Sequence, residues 1–319
     1  MRKFLIGTLA ALACSTAALA QQWPSSPLRY IVPFPAGGST DAISRQLAEA
    51  VGAKLGQSIV VENVGGAGGV IGVTRLARSA PDGYTIGLGN TATLTINPNL
   101  LAKPPYDPLK DLTPISLITD YTNVLVINAA LKVDSLQSLV ALSKEKPDGL
   151  TYSSAGAGSS NHLSGALLAH ETGANLVHVP FKGNAAALTA VAGGHVDFMF
   201  ATISEVLPFI HGGTVRALAT TGKTREAQFP DVPTVAESYP NYEVVGFMGV
   251  LGPAGMPADV TKRLNQEIVQ AMTSPAMRER LDKLGFVARS STPEELSERI
   301  RSEGELWKGL IKASGIAIN

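Results

Sequence analysis

One local unit recurs along this chain and narrows its possible folds: a short apolar run, a loop of glycine and small residues, then apolar residues at helical spacing. Residues 28–33 form such a run and 34–40 reads Phe-Pro-Ala-Gly-Gly-Ser-Thr. Ile43, Leu47, Ala50, Val51 and Leu55 then fall on one helical face. The unit returns at 58–61, where the Gly-rich 65–69 leads into a helix reaching about Ala80, and Pro81-Asp82-Gly83 turns the chain into a strand at 84–88. A Pro-rich stretch (Pro98, Pro104, Pro105, Pro108) and extended runs at 115–118 and 124–127 follow. The pattern then begins again, with a helix at 135–146, loops at 153–160 and 181–184, a helix at 185–192 and strands at 176–180, 196–200, 215–220 and 244–251. Three helices starting at Pro257, Pro275 and Pro293 close the chain, each with proline in its first turn. Such alternation builds α/β layers around mainly parallel sheets. The predicted organisation is two lobes joined by two crossings, near 119–123 and 239–245. Lobe 1 takes 21–120 and 240–319, its C-terminal helices packing across both lobes, and lobe 2 takes 121–239.

Residues 1–20 are expected to be a signal peptide and no part of the fold. Arg2 and Lys3 precede an apolar run at 4–13, and Ala18-Leu19-Ala20 supplies a small-x-small cleavage site. Export to the periplasm with cleavage after Ala20 removes Cys14, the only cysteine, and leaves no disulfide. The rival expectation is lipid anchoring at Cys14, with Ala11-Leu12-Ala13-Cys14 as the lipidation box. No later apolar run reaches the ~18 residues of a membrane span. Cleavage would leave 24 basic against 26 acidic residues, so nucleic acid, which calls for a basic surface, is excluded as a partner. Glycine is in excess, 32 residues of 319, and without a collagen-like period the excess belongs in loops that need special backbone angles.

Three loops share the design of strand end, small residues, helix start: 34–41, 153–162 and 181–184. A helix start offers unpaired N–H groups and a positive dipole end, so it holds an anion without a cationic side chain. These stretches contain no arginine, and Lys182 is their one permanent cation. Phe34 and Phe181 could bound the apolar side of a pocket, and His162 stands at a helix start beside the 154–160 loop. Asp197, inside the apolar run 196–200, must be hydrogen-bonded or paired. It is a candidate binding residue with two roles open: an acid, or a carboxylate holding neighbouring loop N–H groups.

Several better-known motifs fail. Gly66-Ala67-Gly68-Gly69-Val70-Ile71 has isoleucine where the dinucleotide fingerprint needs its third glycine. Gly222-Lys223-Thr224 lacks the first glycine of a P-loop, Ala217 standing there, and Gly158-Ser159-Ser160-Asn161-His162 has histidine where a nucleophile elbow needs glycine. All five histidines lie in the second half without metal-binding spacing. No metal and no cofactor are expected. A secreted hydrolase using Ser154 or Ser159 with His162 is the enzymatic rival, but it lacks a third member.

Taken in order, the motifs resemble the Bug-type substrate-binding receptors of tripartite tricarboxylate transporters over essentially the whole mature chain. The matching stretches are Val32-Pro33-Phe34-Pro35-Ala36-Gly37-Gly38-Ser39-Thr40-Asp41, Val60-Val61-Glu62-Asn63 with Gly66-Ala67-Gly68-Gly69, and Pro81-Asp82-Gly83-Tyr84. They continue with Tyr152-Ser153-Ser154, Gly158-Ser159, His162-Leu163 and His178-Val179-Pro180-Phe181-Lys182-Gly183, and end at Pro253-Ala254-Gly255-Met256-Pro257. The resemblance implies a type II-like, two-lobed periplasmic binding protein that closes by hinge motion on a small mono- or dicarboxylate, without catalysis. It implies ligand contacts from Phe34, Gly37, Gly38 and Ser39, with Ser154, Gly158, Ser159, His162 and Lys182 opposite. A monomer is expected, with transporter membrane subunits or a sensor protein as partner. The chain departs from the family at Ala201-Thr202-Ile203-Ser204 and near Phe247, both positions that could line the pocket.

Overall fold

The computed structural model describes residues 23–314; the expected signal segment, with Cys14 and the Ala20 cleavage site, lies outside them. The chain opens with β1 (Leu28–Val32), α1 (Ser39–Leu55) and β2 (Ile59–Asn63). A tight 3-10 turn (Ala67–Gly69) leads into α2 (Val70–Ala77) and β3 (Thr85–Asn90), and a π-helical turn (Ala92–Ile96) runs directly into α3 (Asn97–Leu100). After the long β4 (Leu112–Asn128) come α4 (Leu136–Glu145), β5 (Leu150–Ser154), α5 (Ser160–Thr172), β6 (Leu176–Pro180) and α6 (Asn184–Ala192). Next are β7 (Phe198–Thr202), α7 (Ile203–His211) and β8 (Val215–Thr220). The chain closes with β9 (Val245–Pro253), α8 (Ala258–Thr273), α9 (Pro275–Lys283), β10 (Val287–Ala288) and α10 (Pro293–Ser314).

Each lobe is a sheet covered by helices. In lobe 1, β2, β1 and β3 run parallel, with β9 antiparallel between β3 and β4. In lobe 2, β6, β5 and β7 run parallel, and β4 joins them antiparallel with β8 on its other edge. Strand period decides which face is which. Phe198 and Phe200 of β7, with Leu125 and Ile127 of β4, pack against Leu163 and Leu167 of α5. The alternate residues Met199, Ala201, Val124 and Val126 pack against Leu188, Val191 and Val206 of α6 and α7. In lobe 1, Tyr30 and Leu88 meet Ile43 and Leu47 of α1 and Leu264 and Ile268 of α8. Ile31 and Phe247 meet Leu296 and Ile300 of α10 on the opposite face. The far end of α10 carries Trp307 into the lobe 2 core, so this helix spans both lobes.

The first crossing is not a loop between two strands but the interior of one. Residues Leu112 to Thr122 of β4 pair with β9, and Asn123 to Ile127 pair with β7. Bulges after Pro114 and after Leu117 absorb a proline that cannot donate to the ladder and add the twist that turns one sheet into the other. The polar run 119–123 interrupts the apolar alternation, and the ladder to β9 keeps it extended. At the crossing, Thr221 ties both strands together. Its N–H donates to the Asn123 carbonyl (2.9 Å), its Oγ1 accepts from the Asn123 N–H (2.9 Å) and donates to the Val244 carbonyl (2.7 Å).

Helix α7 was not visible in the sequence because Pro208 stands inside it. Proline removes a helical hydrogen bond and normally ends such a segment. Here packing of Ile203 and Val206 into the lobe 2 core outweighs that local cost.

Candidate ligand-binding site

The β1–α1 loop is shaped by one carboxylate. Asp41 Oδ2 accepts from the Gly37 N–H (3.0 Å) and from Arg45 Nε (3.0 Å), while Oδ1 accepts from Asn63 Nδ2 (3.0 Å). Asn63 Nδ2 also donates to the Phe34 carbonyl at 3.1 Å. Burial would raise the Asp41 carboxyl, but the bonds from Arg45, the Gly37 amide and Asn63 outweigh it and hold it below the usual carboxylate range. Gly37 takes φ +85° to make the turn, and Gly38 is the N-cap of α1. The first helical N–H, that of Ser39, then faces the opposite lobe.

In lobe 2 the 155–159 loop is held from behind by stacked rings. His162 and His178 stack with centroids 3.9 Å apart, and His162 lies over Tyr152 at 6.4 Å. His162 Nδ1 accepts from the Gly158 N–H (3.1 Å), so its proton is on Nε2. His178 Nε2 is 2.6 Å from Ser154 Oγ, which in turn accepts from the Gly156 N–H (3.1 Å). Burial pushes the His162 imidazole down to about 4. Burial, with the neighbouring ring second, pushes His178 down to about 3. Both rings are therefore neutral at physiological pH, as the acceptor role of Nδ1 requires.

These pKa values set a pH dependence. A histidine whose folded pKa lies below its unfolded value takes up fewer protons folded than unfolded, so its stabilising contribution is complete above about 6.5 and is lost as pH falls towards the folded value. Acidification from pH 7 to pH 5 is expected to remove on the order of 1–2 kcal/mol through His162. Glu303, raised to about 7 by burial, pulls the opposite way. The diagnostic is thus the difference between variants: in urea unfolding, His162→Gln flattens the acid limb of the stability curve, and an unchanged limb refutes the assignment.

The three loops converge on a cavity of about 80 Å³ between the lobes, and together with residues 65–70 they also line a larger space of about 700 Å³ beside it. Phe34, Gly38, Ser39 and Thr40 line the smaller cavity from lobe 1. Ser159, Ser160, Asn161, Lys182 and Asn184 line it from lobe 2, and Tyr121 and Met248 from near the crossings. The lobes touch here. The Ser39 N–H donates to Glu205 Oε1 across the cleft at 3.2 Å, and a Cβ on Gly183 would stand 3.4 Å from Pro35. Among the described residues no group of three or more His, Cys, Asp or Glu side chains could share a metal ion, and no helix is long and apolar enough to cross a membrane.

Of the residues expected from sequence, Phe34, Gly38, Ser39, Ser159 and Lys182 face the cavity. Gly37, Ser154, Gly158 and His162 form the layer behind it, their polar groups already engaged within the loops. Asp197 does not belong to the site. It precedes β7, and its Oδ2 accepts from the Thr151 N–H (2.7 Å) and Oγ1 (2.8 Å) at the start of β5, with Lys146 at 3.8 Å from Oδ1. It clamps the strand ends remote from the cavity, because a carboxylate beside a buried strand start is best satisfied by the nearest free donors. Glu205 was missed. Its signal was the spacing Thr202-Ile203-Ser204-Glu205, a capping-box pattern; the box does not form, and the glutamate instead accepts from the Thr202 hydroxyl (2.7 Å) and turns into the cleft.

Comparison with known proteins settles the family. Residues 43–316 match the model of the tripartite tricarboxylate transporter family receptor. The chain belongs to this family. The receptor is 38% identical over 298 residues to the protein BugT of Bordetella pertussis, covering 93% of this chain and 91% of BugT. It superposes on Rpa4515 of R. palustris, solved with adipate, with TM-score 0.89 and 30% identity over 92% of this chain and 99% of that one. MatC of Rhodopseudomonas palustris, solved with bound malate, gives TM-score 0.86 and 31% identity over 91% of this chain and 100% of MatC. The receptor thus has the fold of a periplasmic binding protein and belongs to a family whose members act in the periplasm.

Proposed function

We propose that this receptor captures a small organic carboxylate, with one or two carboxylate groups, in the cleft between its lobes and delivers it to the membrane subunits of a tripartite tricarboxylate transporter. The observation that carries the reading is convergence: strand-to-helix loops from both lobes meet at a cavity lined by small and polar groups, with Lys182 as the cation among its described lining residues. The Ser39 and Thr40 hydroxyls on one side, and the Ser160 hydroxyl and the Lys182 ammonium on the other, line the space for a carboxylate ligand. Adipate and malate in two relatives of the same fold support that ligand class. The lobes, 21–120 with 240–319 and 121–239, close about the strands crossing at Asn123 and Val244, after export and cleavage following Ala20.

The reading includes no catalysis. Ser154 is bonded to His178 rather than His162, and among the described residues no carboxylate bonds either imidazole to complete a triad. The test is a melting-temperature screen against a panel of carboxylates, sugars, phosphate and amines. A carboxylate at 100 times its Kd should add about 2.7 kcal/mol of stability. A panel in which no carboxylate moves the melting point while a sugar or phosphate does would refute the ligand class.

A further inference from the structure

The cavity already contains a carboxylate of its own. Glu205 Oε1 accepts from the Ser39 N–H (3.2 Å), and Oε2 accepts from Asn184 Nδ2 (2.8 Å) and Thr202 Oγ1 (2.7 Å). All three donors are neutral, and among the described residues Glu205 makes no ion pair. The helix start that could have held one end of a dicarboxylate is thus occupied by the protein's own acid. Beside it, Asn184 commits its Nδ2 to Glu205, which orients the amide and leaves Oδ1 as an acceptor. That Oδ1 is buried and receives no hydrogen bond. The Glu205 wall of the cavity is therefore rich in acceptors, with Asn184 Oδ1 just behind its surface, while Lys182 and the start of α5 carry donors.

Resting on the carboxylate-receptor reading, we infer that the ligand is a monocarboxylate whose other end donates N–H groups, as an amide or amine, and that Glu205 and Asn184 recognise that end. Lys182 with Ser159 and Ser160 then takes the ligand carboxylate. A second ligand carboxylate at the Glu205 end would meet a like charge in a narrow cleft where screening is weaker than in bulk water, and would leave Asn184 Oδ1 unsatisfied. Rejection of diacids would come from that repulsive element as much as from any gain with the preferred ligand.

Isothermal titration of the exported, purified protein with size-matched pairs tests this: succinate, glutarate and adipate, each against its own half-amide. The half-amide of the best-fitting length is expected to bind at least ten-fold more tightly than the diacid. Glu205→Gln, which replaces an acceptor by a donor-bearing amide, is expected to shrink that ratio at least ten-fold. Should Glu205→Gln fail to fold by circular dichroism, Asn184→Ala is the second variant, expected to weaken the half-amide several-fold and leave the diacid unchanged. A wild-type protein that prefers diacids, or a ratio unmoved by both variants, overturns the inference while the carboxylate-receptor reading stands. If no member of any pair binds, that reading falls and this inference with it.

Discussion

Replacing Gly68 with valine is expected to cost the receptor about 100-fold in carboxylate affinity while leaving it folded. Gly68 sits in the turn before α2, with φ +61°, and a Cβ there would stand 2.6 Å from the carbonyl oxygen of Ala157 in the opposite lobe. A backbone atom cannot swing aside as a flexible side chain would, so the new side chain wedges the lobes apart. If the closed state is disfavoured by about 3 kcal/mol, the fraction competent to grip ligand falls by about two orders of magnitude, and apparent affinity falls with it. A valine at positive φ also carries backbone strain, so a control is needed. Gly255→Val provides it, since Gly255 has φ +84° but nothing within 4 Å of its Cβ position. Titration with a carboxylate that binds the wild type, paired with X-ray scattering for ligand-induced compaction, should show both lost in Gly68→Val and both kept in Gly255→Val. Normal binding by Gly68→Val, or equal loss in the control, would refute the closing contact.

The second large effect concerns stability. Trp307 is 5% exposed and belongs to the lobe 2 core, although its helix also carries Leu296 and Ile300 into lobe 1. Trp307→Ala removes a large buried ring from a site that collapses poorly, because the helix is anchored at its other end. The expected cost is about 3–5 kcal/mol in urea unfolding. Leu306→Ala, one residue earlier on the same helix but 59% exposed, should stay within about 0.5 kcal/mol of wild type. A Trp307→Ala loss no larger than that of Leu306→Ala would mean that the bridge between the lobes carries no stability.

Much of the candidate site was legible because its design is local. The loop at 34–40 and the loop at 153–160 each follow an apolar run and precede helical spacing, and the structure gives α1 and α5 their starts at Ser39 and Ser160. What local pattern could not rank was which polar groups remain free. Gly37, Ser154, Gly158 and His162 carry the expected chemistry but use it within the protein: Gly37 on Asp41, Ser154 on His178, and Gly158 on His162. Asp197 drew attention as a charge in an apolar run, yet it is satisfied by Thr151, 46 positions away in the chain. Glu205 was overlooked for the opposite reason. Pro208 hid its helix, and the bond it makes to Ser39 spans 166 positions, a pairing no local pattern encodes.

The α/β class, the order of the strand–loop–helix units and the three small-residue loops follow from local pattern alone, because strand and helix periods and glycine's conformational freedom act over a few residues. That β4 is one strand through both sheets, that α10 joins the two cores, and that an acid from α7 stands at the start of α1 became visible in the folded molecule alone. Those outcomes depend on contacts distant in sequence, where burial and hydrogen-bond satisfaction across the cleft override the local preferences of a polar run or a proline.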